Sequence, residues 1–351
     1  MKKSEKSENL MFGLVNPTSV VENVIEWDRL STNKWVNWGI DNKAPMILWE
    51  NYKKNSLLAS IVNRITDYVF GNGIETQNNS PLTDSDDSFS DVVRKCVFDY
   101  ILFGGFAVEC IRNAYGEIVR YNYQNVMNVR VNEELTTAYI SSKWNTYSTT
   151  KYVELPLYDK NNKEQSHFLM YFRGTITRGI NPVPSYSSAL KSIEILNNTR
   201  NFHLNNLRNG FAASVIINLN NENIKTRELQ EIKDKLEEGY TGTNNAGTFI
   251  LLNGGSKDHA ATIERLQADN FGDLYKSLDD SSKEDIYTAF AMNPILLGKN
   301  VSTGFSKEEF ASAYALYDST YIKPIQDTVQ KQFAKINAVF NWLPIIIDFP
   351  Q

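Results

Sequence analysis

Cysteine and histidine are scarce in this 351-residue chain, with two of the first and three of the second. Cys96 falls in a helix-patterned segment and Cys110 in a strand-patterned one, which fits reduced intracellular thiols and not the disulfide framework of a small secreted domain. His167, His203 and His259 lie far apart, with no cysteine or acidic residue at metal-ligand spacing, so the sequence offers no metal site. An excess of positive charge is also missing. Lys and Arg number 36 against 41 Asp and Glu, for a net charge of -5, so no global basic field draws the chain to nucleic acid or to an anionic membrane. No apolar run approaches the ~18 residues of a membrane span, and no apolar core follows the N-terminal lysines as it would in a signal peptide.

Catalytic signatures are absent too. There is no Gly-x-Ser-x-Gly elbow, no Walker loop and no His-Glu-x-x-His, so the chain reads as a non-enzyme with no cofactor. Asp84, Asp86 and Asp87 lack the glycine and glutamate that an EF-hand loop requires at set offsets, and they read as capping the helix that follows. Gly104-Gly105 comes after a helix and before a strand. A phosphate loop runs in the opposite order and continues into Gly-Lys-Ser/Thr, which is not found here.

What is present is a globular composition, 42% hydrophobic and 22% charged, long enough for one large domain or two or three small ones. Met1 to Asn9 is polar and charged and reads as a frayed tail. Tryptophans cluster between Trp27 and Trp49, around Gly39-Ile40-Asp41-Asn42, and Pro45 is placed to open a helix. Between Leu57 and Phe70, Leu58, Ile61, Ile65 and either Tyr68 or Val69 predict a helix stopped at Gly71-Asn72-Gly73, and a second helix is predicted from about Asp87 to Phe103. Strand-like segments follow at 106–111, 118–123, 126–131, 136–140, 152–157 and 167–172. A helix is predicted from the Pro182-Val183-Pro184-Ser185 step to Asn209, with Ser185 or Ser187 as its cap and Gly210 as its stop. Six of the thirteen residues from Asn197 to Asn209 are asparagine, a weak helix former, so this helix needs support from outside itself. A compact strand–helix–strand pattern occupies Ala212 to Leu252.

A helix is predicted from Asp269 to Met292, with Asp273, Asp279, Asp280, Glu284 and Asp285 outnumbering Lys276 and Lys283. This face is either a solvated exterior or a surface that repels phosphates. Beyond it, Phe310, Tyr314, Tyr317, Tyr321, Ile325, Val329, Phe333, Ile336 and Phe340 recur at helical spacing, predicting one long rod with a kink near Tyr321 forced by Pro324. Periodicity alone favours a buried hairpin of core helices, since aromatic stripes are more often core than site.

The run Ala291-Met292-Asn293-Pro294-Ile295-Leu296-Leu297-Gly298, the following Ser302-Thr303-Gly304-Phe305-Ser306 and the Tyr321-Ile322-Lys323-Pro324-Ile325 step resemble the tailed-bacteriophage portal protein family, in its siphophage and PBSX-like branches. Gly39, Asp41, Asn42 and Pro45, the Leu102-Phe103-Gly104-Gly105 step and Asn209-Gly210 are similar to further motifs of that family, in the same order. The resemblance implies an α+β portal-type subunit. Its parts are a flexible segment 1–26, a mixed wing 27–181, a first stem helix 182–210, a small α/β clip 211–265, a second stem helix 266–294, a tunnel loop 295–306, and a kinked helix with a minimal crown, 307–351. It implies a ring, of twelve subunits in the family, at a capsid vertex of the virion, assembled in the host cytoplasm. Double-stranded DNA passes through such a ring without sequence readout. The implied partners are the terminase large subunit, the major capsid protein and a head–tail connector protein, with no membrane. By the same implication Lys299, Asn300, Val301, Ser302, Thr303, Gly304 and Phe305 form the tunnel loop facing DNA. Lys233, Lys235, Glu237 and Glu238 lie on the docking surface of the clip. An enzyme with an unrecognised site and a monomeric interaction module are the competing readings.

Overall fold

The computed structural model describes residues 27–29, 34–76, 83–84, 86–144, 151–162, 164–174, 176–208, 215–218, 231, 249–252, 262–265, 271–299 and 307–345. The chain is a mixture of helices and sheets. It divides into two compact units, one spanning 195–280 and the other combining 19–194 with 281–351. Among the described residues no helix is long and apolar enough to cross a membrane.

The larger unit opens with the antiparallel pair β1 (Asp28–Arg29) and β2 (Asn37–Trp38). Helix α1 (Ala44–Lys54) carries Pro45 in its first turn, where a missing N–H leaves nothing unpaired. Helix α2 (Ser56–Phe70) buries Leu58, Ile61, Ile65 and Val69 completely, the stripe its spacing predicts. The Asn55 side chain accepts the Leu57 and Leu58 N–H groups at 3.1 and 3.0 Å to start it, and Gly71, at φ +61°, ends it. Helix α3 (Phe89–Phe103) corrects an expectation about its cap. Ser88, extended at φ -75° and ψ 162°, is the capping residue and shares a reciprocal capping box with Asp91. The aspartates upstream sit too early to reach the free N–H groups: Asp87 pairs with Lys95 at 2.6 Å, and Asp84 binds Arg120 and Asn122.

Strands β3 (Ile74–Thr76), β4 (Gly105–Arg112), β5 (Ile118–Gln124), β6 (Val129–Val131), β7 (Thr137–Ile140), β8 (Val153–Pro156) and β9 (His167–Arg173) follow. Strands β4 to β9 form two antiparallel sheets, ordered β5-β4-β9 and β6-β7-β8, while β3 pairs elsewhere. The Leu157–Leu169 bridge and a Tyr158 N–H to Leu169 carbonyl bond of 2.9 Å join these sheets edge to edge. The glycine pair at the head of β4 is required by backbone approach. A Cβ on Gly104 would lie 2.1 Å from the Val183 carbonyl oxygen, and one on Gly105 would lie 2.4 Å from that of Phe172.

Helix α4 (Leu190–Arg208) is entered through a 3-10 turn, Ser187–Ala189. Neither Ser185 nor Ser187 caps it as expected. The 3-10 turn feeds directly into the helix and supplies its first bonds, and Ser185 Oγ instead lies 3.5 Å from the Tyr321 hydroxyl. Gly210 lies outside the described residues. The smaller unit holds most of α4, strands β10 (Val215–Asn218), β11 (Phe249–Leu252) and β12 (Thr262–Arg265), and most of helix α5 (Phe271–Ala289). Central β10 runs parallel to β11 and antiparallel to β12. Parallel pairing needs a crossover of a dozen residues or more, which residues 219–248 provide in length. Strand β12 was not foreseen, since Thr262-Ile263-Glu264-Arg265 offers one apolar side chain to a pattern search.

The chain returns to the larger unit with α6 (Lys307–Tyr317), a π-helical turn Asp318–Ile322, and α7 (Lys323–Ala334). The irregularity expected near Tyr321 takes the form of this π-turn: the Lys323 N–H reaches back five residues to the Asp318 carbonyl, just ahead of Pro324. The rod is shorter than predicted. Helix α7 stops at Ala334, Asn337 adopts φ +58°, and Phe340 belongs to β13 (Phe340–Trp342), paired antiparallel with β3. The apolar spacing continues past Asn337 because Phe340 enters the same core from a strand. That core is aromatic: Phe106 stacks on Phe333 at 5.9 Å between ring centroids, and Phe89 packs against Phe333 at 5.8 Å and Phe340 at 6.1 Å.

Two charged groups are sealed inside this unit. The Arg130 guanidinium donates to the Asn42 side-chain and main-chain carbonyls and to the carbonyls of Met127 and Val129, with no carboxylate among these acceptors. It lies over the rings of Trp38 and Trp144, at 5.5 and 4.9 Å. Burial lowers its pKa to about 9. Asp99 accepts from the Tyr123 hydroxyl at 2.9 Å and from the Val126 N–H at 3.3 Å. Burial pushes its carboxyl up to about 7, against the smaller opposing effect of those two donors. The folded chain therefore holds this proton more tightly than the unfolded chain. The stabilisation is full below pH ~4 and is lost as the pH rises to about 7. Asp99→Asn, which keeps an acceptor but carries no charge, is expected to melt above the wild type at pH 8 and to lose part of the decline in Tm between pH 5 and 8. Identical pH profiles of Tm for the two proteins would contradict this.

Candidate functional site

The segment singled out by the sequence begins where α5 ends. Ile286, Tyr287 and Phe290 are buried while Lys276, Asp280, Glu284 and Asp285 are exposed, so the acidic residues of α5 occupy its solvated side. The side chain of Asp273 lies outside the described residues. Asp279 and Lys283 are half-buried and engaged in contacts of their own. Asp285 accepts from Ser192 Oγ at 2.8 Å.

After α5 the chain reverses through Ala291, at φ +47°, and enters a single 3-10 turn, Pro294–Leu297. Asn293 caps this turn by accepting the Ile295 N–H at 3.0 Å, and Gly298, at φ +74°, closes it. Buried Met292 and Leu296 hold it against the core. Lys299 follows, exposed, with its ammonium 5.5 Å from the centre of the Tyr287 ring. This contact places the loop's one cation at its base. Asn300, Val301, Ser302, Thr303, Gly304 and Phe305 lie outside the described residues, as do Lys233, Lys235, Glu237 and Glu238.

Both ends of the 300–306 segment are clamped by tyrosines. Tyr317 donates to the Phe290 carbonyl at 3.0 Å, and Tyr68 on α2 donates to the Leu296 carbonyl at 2.9 Å. Tyr186 stacks on Phe290 at 4.8 Å with its ring inclined by 23°, and its hydroxyl donates to the Leu102 carbonyl at 2.8 Å. On α6, Tyr314 packs edge-on against Tyr68 at 5.2 Å, and Tyr317 stacks on Tyr321 at 5.0 Å. The aromatic stripe of the rod is therefore core packing, as one of its two readings held. Burial raises the pKa of Tyr68, Tyr186 and Tyr317, and that of Tyr314 is pushed up to about 12, so each hydroxyl keeps its proton throughout the physiological range and those of Tyr68, Tyr186 and Tyr317 remain donors.

The arrangement is mechanical. A rigid, dry platform presents a segment of chain between two anchored points, with Lys299 at one and the acidic first turn of α6, Glu308 and Glu309, just past the other. Tyr317 and Tyr68 were visible in the sequence only as apolar-stripe positions, and Tyr186 was not singled out. Their hydroxyl partners are main-chain atoms, which no residue pattern reveals.

The family model described as phage portal protein matches residues 81–336. A protein of Rickettsia bellii (strain RML369-C), described as uncharacterized, is 30% identical over 146 residues, 41% of this chain and 36% of that protein; the match therefore spans about a third of the relative's length. Among solved structures, an HK97 family phage portal protein from Corynebacterium diphtheriae superposes with a TM-score of 0.55 at 11% identity, covering 81% of this chain and 89% of that one. A chain from the virion of a native gene transfer agent particle gives 0.54 at 12% identity, covering 86% and 83%. A chain from the neck of a native gene transfer agent particle, computed with C12 symmetry, gives 0.53 at 12% identity, covering 84% and 80%. At these identities the superpositions establish the fold.

The platform yields a direct expectation. Tyr317→Phe preserves the stack on Tyr321 but leaves the buried Phe290 carbonyl without its donor, at a cost of about 1–3 kcal/mol. Denaturant titration followed by tyrosine and tryptophan fluorescence is expected to show the midpoint falling with little change in slope. An unchanged midpoint would mean that this bond does not support the platform.

Proposed function

Because the chain belongs to the phage portal protein family, we propose that it is the subunit of a closed ring at one vertex of a capsid, through which double-stranded DNA is packaged and later ejected. The observation that carries this reading is the family match over residues 81–336. In keeping with it, the loop base is built as a scaffold, with tyrosine-anchored elements on both sides of residues 300–306. A ring of twelve is the family's form, and a neck structure of similar fold was computed with C12 symmetry. Exposed apolar side chains on α4, α5 and α6, namely Ile195, Leu204, Leu278 and Leu316, favour helices that are covered by neighbouring subunits.

In this reading the protein is a non-enzymatic component of the virion, assembled in the host cytoplasm, and the energy for packaging comes from the terminase motor. Residues 299–305 are the tunnel loop. They combine one cation, small hydrogen-bonding residues, a glycine and an apolar tip, which suits passing contact with a phosphate backbone better than base readout. The acidic solvated side of α5, where it faces the bore, prevents the tight phosphate neutralisation that makes binding strong and salt-dependent. The clip, with Lys233, Lys235, Glu237 and Glu238, docks the terminase large subunit and then the head–tail connector, and the wing meets the major capsid protein.

Native mass spectrometry or negative-stain imaging is expected to find closed rings. A clean monomer at micromolar concentration across salt conditions would favour the interaction-module or enzyme readings instead. Deleting Val301 to Gly304 is expected to leave ring assembly intact while particles lose packaged DNA, and Lys299→Ala is expected to give a milder defect. Full packaging and normal retention in particles carrying the deletion would reduce the loop to a connector between two helices.

A further inference from the structure

We infer that Tyr115 of one copy inserts into a cavity beside the π-turn of a neighbouring copy, an inference that rests on the ring reading above. Tyr115 sits at the tip of the β4–β5 hairpin, and its side chain is 91% exposed. The tip itself is stiff. Asn113 Oδ1 accepts the N–H groups of Tyr115 and Glu117, both at 3.0 Å; the Asn113 amide donates to Glu117 Oε2 at 3.1 Å; and Gly116, at φ +82°, donates its N–H to the Asn113 carbonyl at 3.0 Å. A wholly solvated aromatic ring on a rigid turn loses little entropy on docking, and tyrosine is among the residues enriched as interface anchors.

A receptor for such a ring lies at the other end of the same strand. A cavity of about 210 Å³ opens where β4 begins, lined among others by Tyr100, Ile176, Val183, Ser185, Tyr321 and Ile325. A void of ~150 Å³ suffices for benzene, so a phenol ring fits. Ile176, which lines the cavity, is itself 51% exposed. The Tyr321 hydroxyl and Ser185 Oγ stand 3.5 Å apart, at the long limit of a hydrogen bond, and retain capacity for an incoming phenol hydroxyl. Hydroxyls among apolar walls match the polar tip and apolar body of tyrosine.

The placement excludes self-insertion. The eight residues of β4, Gly105–Arg112, separate tip from cavity by roughly 27 Å at ~3.4 Å per residue. A knob and a hole on separate surfaces of one chain make a heterologous, head-to-tail contact, and such contacts close into rings when the rotation permits. The two features thus supply the asymmetric complementarity that a ring of identical subunits requires.

The test uses the full-length protein with Tyr115→Cys and Thr328→Cys combined, Thr328 being a further residue lining the cavity. Oxidation is expected to give a ladder of disulfide-linked oligomers on a non-reducing gel, whereas each single variant stays monomeric; native Cys96 and Cys110 are buried and do not contribute. Tyr115→Ala is expected to raise the concentration at which rings dissociate by about tenfold. Rings that assemble in the double variant but yield no ladder, or Tyr115→Ala rings that dissociate as the wild type does, would overturn the contact while leaving the ring reading standing. A wild-type protein that never forms rings would overturn the ring reading and this contact with it.

Discussion

The larger unit depends on buried tyrosine hydroxyls that donate to main-chain carbonyls where helices end. A helix leaves its last four carbonyls without intrahelical donors, and a buried carbonyl left unpaired costs as much as a lost hydrogen bond. Here Tyr186 serves Leu102 in the last turn of α3, Tyr317 serves Phe290 after α5, Tyr68 serves Leu296 in the 3-10 turn, and Tyr121 serves Ile336 after α7. Each bond ties a helix end to an element distant in sequence, and each ring adds its apolar area to the aromatic core. Because burial keeps these phenols protonated, the donors are present at any pH the protein meets.

The same core explains why the chain tolerates a proline inside its last long helix. Pro324 removes a main-chain donor, and the π-turn before it takes up the change in register while Tyr317, Tyr321 and Ile322 stay packed. Side-chain hydroxyls reinforce the stretch: Thr320 and Ser319 bond to the Leu316 carbonyl at 2.7 and 2.9 Å, and Lys323 pairs with Asp318 at 2.8 Å. For a portal subunit this makes a firm helical stretch behind the first turn of α6. At the far side of the unit, Arg130 does comparable work with carbonyls and tryptophan faces. Asn42, held at φ +59°, gives it two acceptors and also takes the Trp38 N–H at 3.0 Å. Removing that asparagine would leave a buried cation short of partners, the costly way to break such a cluster.

Local pattern sufficed for most of the strands between residues 105 and 173, for the stripe of α2 and for the stops at Gly71 and Gly104, since apolar alternation, helical spacing and positive-φ glycine are properties of a few adjacent residues. The exception is Val126–Asn128, expected as the start of a strand over 126–131, which forms a 3-10 turn because the Asn125 side chain accepts the Met127 N–H, leaving only Val129–Val131 as strand. The family, too, was legible in the order of short motifs from Trp35 to Phe340. The cap of α3 was expected among Asp84, Asp86 and Asp87 because every residue from Thr83 to Ser88 carries a side-chain oxygen that could accept a helix N–H, and only the extended backbone at Ser88 decides among them. Strand β12 escaped notice because it is defined by its pairing with β10. The rod ends short of Phe340, and its spacing does not show this for a similar reason: the four-residue step from Ile336 to Phe340 does not distinguish a helix from a strand that enters the same core.

By itself, then, the sequence determined the order and type of most elements, the absence of recognisable catalytic motifs and the membership of a family, all of which follow from short-range periodicity and motif order. Only the tertiary structure decided which hydroxyl meets which carbonyl, where Arg130 finds its acceptors, that β3 pairs with β13, and that an exposed ring and an open cavity stand at opposite ends of β4. Those facts join residues many positions apart. They are set by packing and by the requirement that buried polar groups be paired, constraints that act on the folded chain as a whole.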